Sequence, residues 1–195
     1  MIYHFKPMQS VFQKHLKTAF PFLEGKRLLV ACSGGLDSVV LTYLLAKSGY
    51  DITLVHCNFS LRGNESDSDS KFVIQLAKQL QLPVYTEVFE TEAYANERGI
   101  STQMAARELR YRWFDELSKQ LGMDYILTAH HLDDSLETTL INFSRGTGLR
   151  GLTGIPALSG KLVRPLLVFS REMILNYAEK NKLSWREDSS NTINK

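Results

Sequence analysis

The sequence contains too few cysteines for a disulfide framework or for a cysteine-held metal cluster. Its 195 residues include only Cys32 and Cys57, which do not form a CxxC pair. This scarcity excludes a multi-disulfide secreted scaffold, and it argues against a structural zinc or an iron–sulfur cluster held by this chain. A reducing compartment is therefore expected, and we predict a cytoplasmic protein.

Long hydrophobic runs are also missing from the sequence. No stretch approaches the roughly 18 apolar residues that span a bilayer. The first residues, MIYHFKPMQSVFQKH, contain no uninterrupted apolar segment of the kind that a signal peptide requires. We therefore expect neither export nor a membrane anchor.

No large excess of charge of one sign is present. The formal net charge is +2, with 44% hydrophobic and 23% charged residues, which is the composition of an ordinary soluble globular domain. A polyanionic partner is permitted, but its attraction must come from local clusters of Lys and Arg. The length predicts one main domain.

Short apolar runs alternate with segments of helical periodicity. The runs are 27–32, 52–57, 84–89 and 124–129, and the helical segments are 8–20, 37–47, 67–80 and 101–121. This order predicts an α/β fold with a doubly wound, Rossmann-like parallel sheet and helices on both faces. We expect residues 1–26 to form a helix and lead-in, and 27–195 to form the domain. The polar end, 187–195, leads us to expect a fragment of a longer protein with further domains.

A glycine-rich loop follows the first predicted strand and precedes an apolar helix. The loop reads Ser33-Gly34-Gly35-Leu36-Asp37-Ser38. Two glycines allow backbone N–H groups to close on an anion, the serines supply hydroxyl donors, and the helix N-terminus favours negative charge. The alternative is a plain turn in which Asp37 or Ser38 caps the helix. The full motif favours a phosphate site, although without the lysine of a Walker A loop.

A second polar cluster follows the predicted strand at 124–129. The segment His130-His-Leu-Asp133-Asp134-Ser-Leu-Glu137-Thr holds the imidazoles and carboxylates of a metal or catalytic site. A simpler interpretation is that Asp133 caps the next helix. If this strand lies beside the first one, both loops open onto one crevice at the switch point of the sheet.

Several basic stretches are weaker signals. Arg107 and Arg110 fall on one predicted helical face opposite an apolar stripe, where a solvated surface is the slightly favoured interpretation. Arg145 and Arg150 lie in a glycine-rich segment that is either a phosphate nest or a flexible loop. Arg62 follows the second strand and is another candidate anion contact.

The motifs together resemble a known family. Alone, SGGLDS resembles the PP-loop of N-type ATP pyrophosphatases, which share the adenine nucleotide alpha hydrolase-like fold. The sequence carries, in order, SGGLDS, HCNFSLRGNESDSD, AARELRYRWF, TAHHLDDSLETTL, RGTGLRGLTGI, RPLL and EDSSN. This string resembles the N-terminal domain of the tRNA(Ile)-lysidine synthetase family from Leu28 onward.

The resemblance implies a ligase that forms a C–N bond on RNA. In that family ATP adenylates C2 of the wobble cytidine of an isoleucine tRNA with a CAU anticodon, and the ε-amine of L-lysine then displaces AMP. The alternatives are a PP-loop tRNA thiolase, an amide-forming synthetase, or a nucleotide-binding sensor without chemistry.

The resemblance also implies roles for individual residues. Ser33 to Ser38 are expected to hold the phosphates of ATP, Asp37 and Asp134 to position Mg²⁺ and the reacting groups, and His130 to lie at the reaction centre. The acceptor of the lysine proton is left open among the polar residues of the second loop. Weaker candidates for substrate or tRNA contact are Arg62, Arg107, Arg110, Asp133, Glu137, Arg145 and Arg150.

Overall fold

The computed structural model describes residues 7–144 and 154–187. Within these residues the chain forms a mixed sheet with helices packed on both of its faces. None of the described helices has the length and apolar character needed to cross a membrane.

The sheet contains six strands in the order β3-β2-β1-β4-β6-β5. Neighbouring strands are parallel except for β5 and β6, which form an antiparallel edge pair. The strands are β1 (Arg27–Ala31), β2 (Asp51–Asn58), β3 (Val84–Val88), β4 (Tyr125–Leu127), β5 (Leu158–Ser159) and β6 (Leu162–Val163). The predicted α/β fold with a doubly wound parallel sheet is confirmed.

Seven α-helices connect and flank these strands within the described residues. They are α1 (Met8–Ala19), α2 (Leu36–Lys47), α3 (Asn64–Leu80), α4 (Thr91–Arg98), α5 (Thr102–Leu121), α6 (Leu132–Ser144) and α7 (Arg171–Lys180). The helix α5 is capped by Ser101, whose side chain accepts a hydrogen bond from Met104 N.

Alternating strand residues bury two separate apolar surfaces. Leu28 and Val30 of β1 point into a cluster that also contains residues of α1, α2 and α7. Leu29, one position between them, packs with Phe114 and Leu117 of α5 on the opposite face. The central strand is therefore covered on both sides, as a parallel sheet requires.

One helix begins earlier than the sequence predicts, and four elements were not predicted. The helix α3 begins at Asn64, three residues before the predicted segment 67–80. The acidic side chains of Glu65 and Asp67 lie in the first turn, where the positive end of the helix dipole favours them. The two-residue strands β5 and β6 and the helices α4 and α7 were not predicted.

Candidate active site

The two polar loops identified in the sequence open onto one cleft. β4 pairs directly with β1, with Leu28 beside Tyr125 and Val30 beside Leu127, so both loops leave the same edge of the sheet. The chain proceeds from β1 to β2 and β3 on one side and returns to β4 on the other, which makes this the switch point of the sheet.

The cleft at this point has a volume of about 320 Å³. Its lining residues come from β1, β2, α5 and the two loops, and they include Ser33, Gly35, Asp37, Ser38, Cys57, Phe59, Arg110, Tyr111, His130 and Asp134.

The phosphate loop is held by a compact set of hydrogen bonds around Ser38. Its hydroxyl accepts from Ser33 N at 3.2 Å and donates to Gly35 O at 3.0 Å. Gly35 N in turn donates to the Ser33 hydroxyl at 3.3 Å. Leu36 faces the core and is buried, so only its backbone is available to an anion. These bonds hold the shape of the loop at the start of α2, where the positive end of the helix dipole favours an anion.

Gly34 allows the loop to take its shape. Its φ is +90°, and a Cβ atom placed on it would lie 3.2 Å from the Phe72 ring and 3.4 Å from Val73. The backbone N–H of Arg186 donates to Gly34 O at 2.9 Å, and the Arg186 side chain pairs with Asp69 at 2.9 Å. A segment far along the chain therefore packs against the loop.

Asp37 and Asp134 flank the same buried imidazole. The Nε2 atom of His131 lies 3.8 Å from Asp37 Oδ2 and 3.6 Å from Asp134 Oδ2. Asp134 Oδ2 also accepts a hydrogen bond from His131 N at 2.8 Å. Arg171 Nη1 lies 3.3 Å from Asp37 Oδ2. Burial raises the pKa of Asp37, against the opposing effects of His131 and Arg171.

Asp133 does not have the position that the simpler interpretation gave it. The helix α6 begins at Leu132, so Asp133 already lies within its first turn. Its Oδ2 accepts a hydrogen bond from the backbone N of Arg171 at 2.8 Å, which holds the pKa of this carboxyl below its usual value. Asp133 therefore supports the N-terminus of α7 instead of capping its own helix.

His130 faces the cleft beside β4. Its Nδ1 lies 2.9 Å from the hydroxyl of Thr128. Burial lowers the pKa of His130, and the charge of Arg164 lowers it further. A neutral imidazole is thereby favoured near pH 7, which is the form that accepts a proton.

Arginine and aromatic side chains form one wall of the cleft. The guanidinium of Arg110 lies 5.1 Å from the centre of the Phe59 ring, and that of Arg107 lies 5.1 Å from the Tyr111 ring. Arg107 is exposed, whereas Arg110 is half-buried and lines the cleft. For Arg110 the solvated-surface interpretation is therefore wrong, because its long side chain lies over an aromatic ring at the pocket.

Two of the remaining candidate residues, Glu137 and Arg62, lie outside the cleft. Glu137 is exposed on α6, and Arg62 is exposed before α3; neither lines the cleft. Arg145 and Arg150 lie outside the described residues.

The donor set is compatible with a magnesium ion bound together with phosphates. Asp37 Oδ1 is buried and has no hydrogen-bond partner among the described residues. Across the same residues no group of three or more His, Cys, Asp or Glu side chains forms a complete metal site. Mg²⁺ commonly uses one or two carboxylates and takes its other ligands from substrate phosphates and water.

Sequence reasoning missed three functional candidates: His131, Arg164 and Arg171. His131 was visible only as one of two adjacent histidines, and nothing in the local pattern shows which of them is buried. Arg171 reaches Asp37 across 134 positions of the chain, and such a contact has no local signal. Arg164 is buried although its sequence neighbours do not reveal it.

The parallel sheet, the phosphate loop and the switch-point cleft define a nucleotide-binding domain of the PP-loop class. The chain belongs to the PP-loop domain family, which matches residues 8–195. Membership of this family implies the use of ATP.

Curated relatives are tRNA(Ile)-lysidine synthases from bacteria. The protein of Porphyromonas gingivalis strain W83 is 50% identical over 172 residues, which are 87% of this chain and 38% of the relative. That of Bacillus subtilis is 36% identical over 193 residues, covering 95% of this chain and 40% of the relative. The chain therefore spans about two fifths of the length of these relatives.

Solved structures share the fold at low sequence identity. A U34-tRNA thiolase from Methanococcus maripaludis has a TM-score of 0.72 at 16% identity, covering 91% of this chain and 65% of that one. The NMN synthetase of Francisella tularensis has a TM-score of 0.67 at 14% identity, covering 98% of this chain and 75% of that one. These likenesses support the fold alone.

Proposed function

We propose that this chain is the ATP-using catalytic domain of a tRNA(Ile)-lysidine synthase. The substrates are ATP, L-lysine and an isoleucine tRNA with a CAU anticodon, and the enzyme is a ligase that forms a C–N bond. The observation that carries the proposal is the convergence of the phosphate loop and the His130–Asp134 loop on one cleft. The names of the relatives give tRNA(Ile) and lysidine, and membership of the PP-loop family gives ATP.

In the first step the domain binds ATP and directs attack at its α-phosphate. Ser33, Gly34, Gly35 and Ser38 hold the phosphates, with the N-terminus of α2 favouring their negative charge. Asp37 and Asp134 would hold Mg²⁺, which would supply positive charge to stabilise the departing pyrophosphate. Arg171 balances the charge of Asp37 and keeps its carboxylate in place.

In the second step the lysine ε-amine attacks C2 of the adenylated cytidine, AMP leaves, and a base accepts the proton of the amine. The ε-ammonium has an unperturbed pKa of about 10.4, so it must lose a proton before or during attack. Asp134 and Asp133 already accept backbone hydrogen bonds, and Glu137 is outside the cleft. His130 faces the cleft with a lowered pKa, and we therefore assign the proton acceptor to it.

The wall of arginines and aromatic rings is suited to RNA. Arg110 over Phe59 and Arg107 over Tyr111 present flat, positively charged surfaces. Splayed bases stack on such surfaces, and the guanidinium groups attract phosphates. Arg62, Arg145 and Arg150 are further proposed tRNA contacts.

Two competing functions fit the chain less well. A thiolase that carries a [4Fe–4S] cluster needs more thiolate ligands than the two cysteines of this chain provide. Burial also raises the pKa of Cys57 to about 12, which suppresses the thiolate that sulfur transfer requires. A nucleotide-binding sensor that catalyses no reaction does not need His130 and two aspartates beside the phosphate loop.

We also propose a cytoplasmic location. Cys32 and Cys57 are both free, which is typical of proteins in a reducing compartment.

Transfer of labelled lysine to tRNA tests the proposal. The protein is incubated with ATP, radiolabelled L-lysine and an isoleucine tRNA transcript that has cytidine at the wobble position. We expect label in the RNA only when all components are present, and none in a matched transcript with uridine at that position. Label transfer to both transcripts, or sulfur incorporation from a sulfide donor without lysine, would overturn the proposal.

A further inference from the structure

Arg164 is a buried cation beside the candidate active site. It follows β6 directly, and only 7% of its surface is exposed. Thr128 N donates to Val163 O at 3.0 Å, so Arg164 begins where the His130 loop leaves β4. Thr128 in turn contacts the ring of His130 at 2.9 Å. Arg164 therefore follows a strand residue that pairs with Thr128, two positions before the proposed base.

The charge of Arg164 has no carboxylate partner among the described residues. Its Nη1 donates to Pro156 O at 2.6 Å, while its buried Nε has no hydrogen-bond partner within the described part of the chain. Arg171 and Arg186, in contrast, are paired with the carboxylates of Asp37 and Asp69. A buried and unpaired guanidinium is costly, and an anionic ligand would offset that cost.

The position of Arg164 restricts the kind of anion that its guanidinium can bind. The phosphates of ATP are assigned to the loop after β1, and β4 lies between that loop and Arg164. A phosphodiester of a folded RNA reaches an exposed guanidinium more readily than one that is nine-tenths buried. The charge of Arg164 favours a small free carboxylate instead, and the proposed function requires one in the α-carboxylate of lysine.

We propose that Arg164 is the subsite that binds the α-carboxylate of the free lysine substrate. This inference rests on the proposed function. A guanidinium forms two parallel hydrogen bonds with a carboxylate, which fixes its direction as well as its distance. The carboxylate and the ε-amine lie at opposite ends of lysine, so the amine remains free to approach His130. Amines that lack a carboxylate would be bound less well.

The test compares L-lysine with cadaverine, which is the same molecule without its carboxylate. Dissociation constants are measured calorimetrically in the presence of α,β-methylene ATP for the wild-type chain, Arg164→Met and Arg164→Lys. Arg98→Met serves as the control, because Arg98 is an exposed arginine on α4 that lies over Tyr94 away from the cleft. Melting temperatures verify that each variant is folded.

We expect the wild-type protein to prefer L-lysine over cadaverine by about 10- to 100-fold, the range of a charge-assisted pair. Arg164→Met should bind L-lysine only as weakly as cadaverine, with the cadaverine and nucleotide affinities unchanged. Arg164→Lys should keep part of the preference, which preserves the test if the methionine variant does not fold. Arg98→Met should behave as the wild type.

Three results would overturn the subsite. The first is an unchanged preference for L-lysine in Arg164→Met. The second is an equal loss of affinity for both amines in that variant, and the third is a loss of its affinity for the nucleotide analogue alone. A wild-type protein that binds neither amine would instead overturn the proposed function, and the subsite with it. Selective lysine binding that is indifferent to Arg164 would leave the function intact and remove only the subsite.

Discussion

Among the single residues of the site, Asp37 has two carboxylate oxygens with different surroundings. One oxygen contacts Arg171 and faces His131, while the other is buried without a partner among the described residues. Burial raises its pKa, so keeping it ionised costs folding free energy at neutral pH. A group placed in this way is better explained by ligand binding than by stability.

Replacement of this carboxylate should separate activity from stability. We expect Asp37→Asn to reduce ATP-dependent pyrophosphate release at least 100-fold, as the loss of one charged group in a preorganised site does. Its melting temperature at pH 7 should not fall below that of the wild type. The raised pKa means that the native state binds protons more readily than the unfolded state, so wild-type stability declines as the pH rises.

The stability difference between Asp37→Asn and the wild type should therefore shrink as the pH is lowered and Asp37 becomes protonated. Melting curves between pH 4 and pH 8 measure it. Near-normal turnover of Asp37→Asn would show that the loop is a structural turn.

The two neighbouring aspartates should respond differently to alanine. Asp134→Ala should abolish lysine transfer, because Asp134 faces the cleft and holds the start of the second loop at His131 N. Asp133→Ala should keep most activity and lose melting temperature, because it removes the acceptor at the start of α7.

The stabilising effect of Asp133 should depend on pH. Its pKa is lowered in the folded state, so its contribution is present at pH 7 and is lost as the pH falls below about 4. Single-turnover rates and melting temperatures measured on both variants decide the assignment. An inactive, fully stable Asp133→Ala protein would reverse the roles of the two residues.

Among the structural elements, the sequence predicted those that depend on interactions between residues close together in the chain. The strand at 27–32 and the loop from Ser33 to Ser38 were visible because burial on both faces and glycine conformation leave a signal in adjacent residues. The strands β5 and β6 have two residues each, too few to show any alternation. The start of α3 was missed because acidic side chains favour a helix N-terminus as well as a loop.

The candidate site was only partly predictable for a related reason. Both polar loops follow strands, so the sequence located them, but the pairing of β1 with β4 depends on the whole sheet. The contacts of Arg171 with Asp37 and of Arg186 with Asp69 span 134 and 117 positions. No residue near Asp37 in the sequence indicates that its charge is balanced from α7.

The phosphate loop provides a prediction with a matched control. Gly34 and Gly49 have φ values of +90° and +78°, but a Cβ atom on Gly49 would have nothing within 4 Å. Gly34→Ala should weaken ATP binding at least 10-fold, because the strained loop must also move away from Phe72 and Val73. Gly49→Ala should lower the melting temperature and leave the ATP dissociation constant unchanged. Equal ATP affinities of the two variants would contradict the structure of the loop.

At the scale of the whole molecule, the sheet order brings distant parts of the chain to one cleft. The central strands β1 and β4 present their loops side by side, and α5 closes one wall with Arg110. The two ends of the described chain stabilise the other face, where Phe12 of α1 packs near Phe169, just before α7. Arg186 then reaches the phosphate loop.

The structure of the cleft therefore depends on residues that are far apart in the described chain. The phosphate loop depends on side chains and backbone groups between residues 69 and 186 as well as on its own glycines. We therefore expect ATP chemistry to require the described residues up to Arg186, although the phosphate motif itself ends at Ser38.

We propose that the cleft cleaves ATP between its α- and β-phosphates to activate an RNA base for attack by lysine. Phosphorus NMR identifies the products formed with the protein, ATP, Mg²⁺, L-lysine and the isoleucine tRNA transcript together, and with each component omitted in turn. We expect AMP and pyrophosphate in equal amounts, formed in sustained turnover only when both lysine and the cytidine-bearing tRNA are present. Formation of ADP and inorganic phosphate, or release of AMP that is indifferent to lysine and tRNA, would contradict it.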